Sequence, residues 1–387
     1  MRILHVVGWL APRYGGTVSV VKKIVPELEA RGHSVEVWTT NADGKDVLPV
    51  ETGRPIRWQE MTVTFHTLGR PKAYLVSWDM VRTLRRRVAE FDVVHIHSLY
   101  RFHTLVAARI AKSRQVPYIV QAHGALDPWN RRRRRLAKHA YHALLEDAHL
   151  NRAAAIVCTS AQEEDGIRDL GYKGRIEIVP LGVDPPEAYV SEATNDPALA
   201  MVQPDHRLIS FVGRISSVKG IDLLIHSFVA VARAFPRAHL VVAGPDQDGT
   251  LEELGRSVAS LGLAERVSFT GPITSPTRDW LLQRSSVFVL PSAGESFGLA
   301  VAEAMAAGCP VVVTPRVAIQ DMVARAGAGI VAERSAPALA QAISSLLADP
   351  ARAAAMGRAG SDAVREALSW NAVVREMESV YRSVVTK

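Results

Sequence analysis

Apolar positions along this chain form short runs that alternate with longer amphipathic stretches, and the alternation occurs twice. Ile3–Gly8 is a short apolar run that predicts a buried strand. Val18–Ala30 places Val20, Val21, Ile24, Val25 and Leu28 at the spacing of a helix lying on a core. Ser34–Thr40 alternates as a strand, Asp79–Glu90 reads as a helix, and Asp92–His97 carries Val93, Val94 and Ile96 as a strand. Phe102–Lys112 then predicts a helix, Val116–Gln121 a strand, and about Asn130–Leu150 a long basic helix. Ala154–Cys158 is a strand, Ser160 opens a helix through a capping box with Glu163, and Ile176–Val179 closes the series.

A proline- and acid-rich break from Asp184-Pro185-Pro186-Glu187 to Asp196-Pro197 is the best linker. The alternation restarts beyond it. Leu208–Val212, His239–Ala243, Val267–Thr270, Val287–Leu290 and Val311–Thr314 are strands. Gly220–Ala234 and Leu251–Leu261 are helices, and Ser335 to Thr386 reads as three helices broken near Asp349-Pro350 and Ser369-Trp370. Repeated strand–helix units imply parallel sheets with helices on both faces. The expected fold is therefore α/β, with two doubly wound domains facing across one cleft. The boundaries are 1–187 and 188–369, and ligands bind at the C-terminal ends of the strands.

The composition is that of an ordinary globular chain. It has 387 residues, 48% hydrophobic and 22% charged. No apolar run approaches the ~18 residues of a membrane span. The N-terminus reads as a first strand and turn, not a signal peptide. Cys158 and Cys309, isolated and each beside a strand, suggest neither a disulfide framework nor a metal cluster, and a reducing cytosol is the simplest compartment. The net charge of +7 is uneven: residues 1–187 carry 28 Lys+Arg against 20 Asp+Glu, and 188–387 carry 18 against 19. An anionic partner for the first half follows from that asymmetry.

Four loops carry candidate chemistry. In Pro291-Ser-Ala-Gly-Glu295-Ser-Phe-Gly-Leu-Ala-Val-Ala-Glu303, two carboxylates flank a strand-to-helix junction. Backbone N–H groups at such a helix N-terminus bind phosphate. The carboxylates either reach polar groups at both ends of a phosphate ligand, or serve as a helix cap (Glu295) and an ordinary ion pair (Glu303). Gly213-Arg214…Lys219-Gly220 places two cations at a strand end, where a diphosphate could be held. Pro12-Arg13-Tyr14-Gly15-Gly16-Thr17 is a βα turn whose glycines allow close backbone approach, without the GxGxxG of a dinucleotide fold. Gln121-Ala122-His123-Gly124 puts a histidine past a strand end, either structural or able to meet a hydroxyl or carry a proton. Asp246-Gln247-Asp248 has the form of a divalent-metal site, but its Gly-Pro-Asp turn favours a turn role.

Taken in order, these elements resemble glycosyltransferase family 4, retaining enzymes of GT-B fold that use nucleotide sugars. Gly15-Gly16, His123-Gly124, Gly182-Val183-Asp184, Gly213-Arg214…Lys219-Gly220 and Glu295-Ser-Phe-Gly…Glu303 match its motifs. The resemblance implies that Glu303 binds donor ribose hydroxyls. Arg214 and Lys219 would hold the diphosphate with N–H groups at Phe297–Leu299, within a donor loop of Ser296, Phe297, Gly298 and Leu299. Glu295 would contact the transferred sugar. Gly15 and Gly16 would let the first domain close on the phosphates, and His123 would touch the sugar near the reacting carbon. It also implies that the helix after Trp370 crosses back, so that 370–387 joins the first domain. Leu181 stands where many members have Asn, and Gln320 where many have Glu.

The function expected is retaining transfer from a nucleoside diphosphate sugar to a hydroxyl acceptor. The rival readings are a sucrose-synthase- or phosphorylase-like enzyme and a non-catalytic nucleotide-sugar-binding protein. Fixed cations and a helix N-terminus would stabilise the leaving diphosphate, so no metal or other cofactor is required. Arg131, Arg132, Arg134, Arg135 and Lys138, with Arg82, Arg85, Arg86 and Arg87, are either solvated faces or a surface for acidic membrane or a lipid-linked acceptor. A cytoplasmic protein is expected, and the second reading would place it on the inner face of the plasma membrane. No nucleic-acid recognition module or aromatic stacking platform is evident.

Overall fold

The computed structural model describes residues 1–125, 146–186 and 199–385. It divides into two compact units, Met1–Gly182 with Trp370–Lys387, and Val183–Ser369. The first crossing lies at Gly182/Val183, a few residues before the linker read from the prolines. Val183 N donates to Leu368 O at 2.8 Å, and Val183 bridges Ser369 in parallel, so that segment already belongs to the second unit.

The first unit has an eight-stranded sheet. Its order is Ile176–Ile178, Ala155–Cys158, Tyr118–Gln121, Val93–His97, Arg2–Val6, Ser34–Thr40, Met61–His66 and Pro55–Trp58. All its pairings are parallel except the edge hairpin Pro55–Trp58/Met61–His66. The hydrophobic pattern gave no element there: Arg57 and Glu60 interrupt the apolar run, and only Met61–His66 is buried along most of its length. Alternation along the strands sends Ile3, Val35, Val37 and Val93 to one core, and Leu4, Val6, Val94 and Ile96 to another.

The first of those cores is covered by two helices, Gly15–Ala30 and Trp370–Val385. The second helix buries Val373, Met377, Val380, Tyr381 and Val384, a stripe with helical period. The C-terminal segment therefore completes the first unit. The first helix begins at Gly15, not Val18, so Gly15 and Gly16 form its first turn. No side chain crowds either one: a Cβ at Gly15 or Gly16 would meet nothing within 4 Å.

The second unit has a six-stranded sheet, all parallel. Its order is Val267–Gly271, Ala238–Ala243, Arg207–Val212, Ser285–Leu290, Val311–Val313 and Gly329–Val331. The helices Ile221–Ala234, Leu251–Ser260, Ser275–Arg284, Leu299–Ala306, Gln320–Ala326, Ala336–Ala348 and Pro350–Ala367 connect and flank it. Gly329–Val331 is too short to register as an apolar run and becomes a strand by pairing with Val311–Val313. Both cysteines are buried and unpaired. No helix among the described residues is long and apolar enough to cross a membrane.

Met377 is fully buried between the terminal helix and the sheet. Met377→Ala is expected to destabilise the first unit by about 2–5 kcal/mol, read as a lower urea midpoint; an unchanged midpoint would mean that the terminal helix contributes no core.

Candidate active site

In the second unit the strand ends converge on one set of loops. Arg207–Val212 ends at Gly213, whose N–H donates to Ala243 O at 2.9 Å. The loop continues through exposed Arg214 to a short 3-10 turn at Ser217–Lys219 and the helix from Ile221. Gly220 has φ 69°, and a Cβ there would lie 2.5 Å from Pro291 O, so only glycine lets this turn sit against the neighbouring strand end. Ala293 N donates to Val218 O at 2.8 Å, closing the contact from the other side.

The loop 293–298 is itself held by backbone pairing. Glu295 N donates to Arg316 O at 3.0 Å, Ala318 N to Glu295 O at 3.2 Å, and Ile319 N to Phe297 O at 3.0 Å. Gly298, at φ 102°, is the N-cap of the helix Leu299–Ala306 and has no side chain with which to bond its first turn. Glu295 lies three residues before that N-cap. Its carboxylate accepts from Lys219 Nζ and lies 3.4 Å from Ser292 Oγ. The loops thus bring a carboxylate and a cation together 76 positions apart in sequence. Among the described residues Arg214 has no ion-pair partner. Phe297 turns its ring into the core, while Leu299 is 37% exposed at the start of the helix. Ser296 lies on the same backbone between them.

Glu303 lies on the second turn of that helix and accepts from Arg278 Nη1 at 2.8 Å. Arg278 also donates to Asp279 Oδ1, at 2.7 Å from Nη2 and 2.9 Å from Nε. Burial pushes the Glu303 carboxyl above the ordinary range; Arg278 opposes the shift, and Asp279 and Asp184 add to it. The ion-pair reading of Glu303 is thus present, with a partner the sequence did not indicate. Arg278 sits on Ser275–Arg284, a helix with no motif. The one local cue is Arg278-Asp279, a charged pair on an otherwise mixed helix. The Asp246-Gln247-Asp248 turn is structural: Asp246 accepts from the N–H groups of Gly249, Thr250 and Leu251, and Asp248 from Ser217 N and Oγ.

In the first unit His123 follows the strand Tyr118–Gln121 with φ 51°, a left-handed conformation uncommon outside glycine. Its Nε2 shares a hydrogen bond of 2.9 Å with His97 Nδ1, and burial pushes its pKa down to about 4. Glu163 locks the loop, accepting from Gly124 N at 2.9 Å and from Thr159 N at 2.8 Å. Glu163 N donates to Ser160 Oγ at 3.2 Å, the first bond of the capping box. The Glu163 carboxylate reaches the histidine loop as well as Thr159, the residue before the helix cap.

The same unit carries a cavity of about 570 Å³ lined by Trp9, Tyr14, Lys45, Lys72 and Arg101, with no acidic group in its wall among the described residues. Trp9 and Tyr14 have ring centroids 4.9 Å apart, and the Arg101 guanidinium lies 5.7 Å from the Trp9 ring. Of the two basic clusters, Arg82, Arg85 and Arg86 are exposed on Trp78–Arg87. Arg87 is not part of that face: it pairs with Glu36 at 2.9 Å and Glu90 at 3.1 Å. Arg131, Arg132, Arg134, Arg135 and Lys138 lie outside the described residues.

Residues 15–182 match the family described as "Glycosyl transferase 4-like domain", and residues 200–363 the family "Glycosyl transferases group 1". A D-inositol 3-phosphate glycosyltransferase of Segniliparus rotundus is 34% identical over 215 residues, 54% of this chain and 47% of that protein. D-inositol 3-phosphate glycosyltransferase 1 of Catenulispora acidiphila is 30% identical over 317 residues, 78% of this chain and 74% of its own. Among solved structures, Anabaena HepE in complex with UDP-glucose superposes with a TM-score of 0.74 at 18% identity, covering 100% of both chains.

The Glu303–Arg278 pair gives a stability test. A carboxyl whose folded-state pKa is raised binds its proton more tightly in the native state, so stability falls as pH rises through that window. Arg278→Met removes the opposing cation and widens the window. It is expected to cost about 2 kcal/mol at neutral pH, between the values for exposed and buried pairs. Part of that loss should return on acidification to about pH 5, and most of it in Arg278→Met/Glu303→Gln. A pH-independent loss would remove Glu303 as the cause.

Proposed function

Since the chain belongs to the group 1 glycosyltransferases, enzymes of family 4 and GT-B fold, we propose that it transfers a hexose, with retention, from a nucleoside diphosphate sugar to a hydroxyl acceptor. The observation that carries this reading is the helix N-terminus at Gly298 with the Lys219–Glu295 pair beside it. A diphosphate needs donors and positive potential where its charge grows as the sugar leaves. Bare N–H groups at a helix start, Lys219 and Arg214 supply both without a metal. The UDP-glucose bound by HepE supports a nucleotide-sugar donor.

In this mechanism Arg214 and Lys219 neutralise the departing diphosphate. Glu295, held by Lys219, orients hydroxyls of the transferred sugar, and Glu303, held by Arg278, takes the ribose hydroxyls. Neither carboxylate is the proton-transfer group. An oxocarbenium-like sugar is attacked on the face the diphosphate leaves. A diphosphate oxygen takes the acceptor's proton as the new glycosidic bond forms and the sugar–phosphate bond breaks. His123 contacts the sugar, and Gly15 and Gly16 leave room for the phosphates.

The acceptor is proposed to be a lipid-linked glycan whose phosphate enters the cavity of Lys45, Lys72 and Arg101, with its sugar against Trp9. The phosphorylated acceptor implied by the names of the inositol 3-phosphate enzymes supports an anionic acceptor. The basic run Arg131–Arg135 would dock the protein on acidic headgroups at the inner membrane face.

Turnover of UDP-, GDP- and ADP-sugars with chelator present fixes the donor. Against the sugar that works, Arg214→Ala and Lys219→Ala are each expected to lower kcat about 10²-fold with unchanged far-UV circular dichroism. Wild-type kinetics in both variants would sink the diphosphate assignment, and recovery only on adding a divalent cation would sink the metal-free mechanism. For the acceptor, co-sedimentation with vesicles containing phosphatidylglycerol but not with pure phosphatidylcholine is expected, weakening at high salt. Equal recovery with both vesicles counts against membrane docking.

A further inference from the structure

Behind His123 the first unit holds an unusual series of buried imidazoles. His5, His95 and His97 are fully buried on adjacent strands, Arg2–Val6 and Val93–His97. Burial pushes the pKa of His5 down to about 3 and those of His95 and His97 well down, so each ring is neutral and carries one N–H.

Three ring nitrogens of His5, His95 and His97 lie within 4.8 Å of one another, a spacing compatible with a metal. The ring planes argue against one. His95 and His97 lie face to face, 4.1 Å apart and 22° from parallel, so their in-plane lone pairs run side by side and do not converge on one ion. His5 Nδ1 and His97 Nε2 are 2.9 Å apart and already share a proton. The rings instead form a line. His5–His97 and His97–His123 each have centroids 5.2 Å apart, tilts of 20° and 16°, and nitrogens 2.9 Å apart, which is end-to-end N–H···N geometry. The line ends on the terminal helix, where Tyr381 Oη lies 3.4 Å from His5 Nε2 and 2.7 Å from His95 Nδ1.

A line of neutral rings has one polarity, and one end sets it. The Gln121 side chain lies close enough to His95 to favour its N–H, as an acceptor does. Because His95 Nδ1 is occupied by Tyr381, the Gln121 side chain acts on Nε2; Gln121 Oε1 and His95 Nε2 are both buried and neither makes a hydrogen bond among the described residues. A bare Nε2 would leave two buried lone pairs facing each other, so His95 takes the Nε2–H form. Its bare Nδ1 takes the Tyr381 hydroxyl proton, which leaves the Tyr381 oxygen to accept from His5 Nε2–H. His5 Nδ1 is then bare and accepts from His97 Nε2–H, and His97 Nδ1 accepts from His123 Nε2–H. The remaining nitrogen, His123 Nδ1, has no hydrogen bond among the described residues.

We propose that Gln121, Tyr381, His5 and His97 are positioning residues that fix the tautomer of His123, so that it presents a bare Nδ1 and accepts a hydrogen bond from a sugar hydroxyl. The hydroxyl partner rests on the reading of His123 as a sugar contact; the tautomer does not, and the two are tested separately.

Long-range 1H–15N spectra of the full-length protein labelled with 15N-histidine, without substrate, report each ring's tautomer. His5, His95, His97 and His123 are all expected as neutral Nε2–H forms. An Nδ1–H or doubly protonated His123 overturns the proposal, as does one equivalent of metal retained after chelation. His97→Asn, whose amide oxygen takes the Nδ1 position, should keep the His123 tautomer, whereas His97→Leu should mix it. Tyr381→Phe, which removes one oxygen and serves if His97→Leu does not fold, should mix it too; an unchanged His123 signal in Tyr381→Phe overturns the role of the terminal helix. In turnover assays His97→Leu and Tyr381→Phe should lower kcat about tenfold, the weight of one hydrogen bond, with KM for the donor sugar nearly constant and His97→Asn recovering most of the loss. A tautomer shift with wild-type kcat leaves the chain intact and removes the sugar contact.

Discussion

Beyond the last residue of each strand, a parallel sheet leaves backbone N–H and C=O groups that must still find partners, because burying them unpaired is costly. In the second unit the loops meet that demand by pairing with one another. Glu295 pairs with Arg316 and Ala318, Phe297 with Ile319, Ala293 with Val218, and Gln247 with Ile215. These bonds tie the loops 214–220 and 293–298 to each other and to the segment 316–319. Lys219 and Glu295 meet because the backbone beneath each is anchored, and the helix start at Gly298 is set by packing against Val317 and Ile319. A site made of flexible loops could not hold a cation, a carboxylate and bare N–H groups in one arrangement before a ligand arrives.

The first unit meets a different constraint. Its sheet buries polar rings where a parallel α/β core ordinarily holds only aliphatic side chains. His5, His95 and His97 remain there because each is neutral and has a ring nitrogen bonded to a neighbour. The Tyr381 hydroxyl closes the series from the terminal helix, so the return of the chain to this unit supplies a polar partner as well as apolar cover. Glu163 performs a related service at the other end, tying the His123-Gly124 loop to Thr159. The two ends hold His123 in a backbone conformation it would not adopt by itself.

The alternation of strands and helices was legible because the repeats of 2.0 and 3.6 residues are local. The donor loop was legible for a similar reason: Glu295, Ser296, Phe297, Gly298 and Glu303 lie on one short segment, where a strand end, a turn and a helix start can be read together. The Pro55–His66 hairpin escaped because an edge pair with one polar face looks like a loop. Arg278 escaped because nothing near it in sequence announces a partner 25 positions away. The capping box at Ser160 was half legible, since the fate of the Glu163 carboxylate depended on a loop from a different strand.

The sequence by itself determined the fold class, the approximate limits of each element and the segments that carry the candidate site, because each rests on periodicity or on spacing within one loop; the family followed from the resemblance of motifs spread from Gly15 to Glu303. Only the tertiary structure decided who pairs with whom. Lys219 holds Glu295, Arg278 holds Glu303, and Tyr381 reaches His5 across 376 positions. Hydrogen bonds and ion pairs act over about 3 Å, and no local pattern says which distant strand end or helix face will arrive within that distance once the backbone groups have been satisfied.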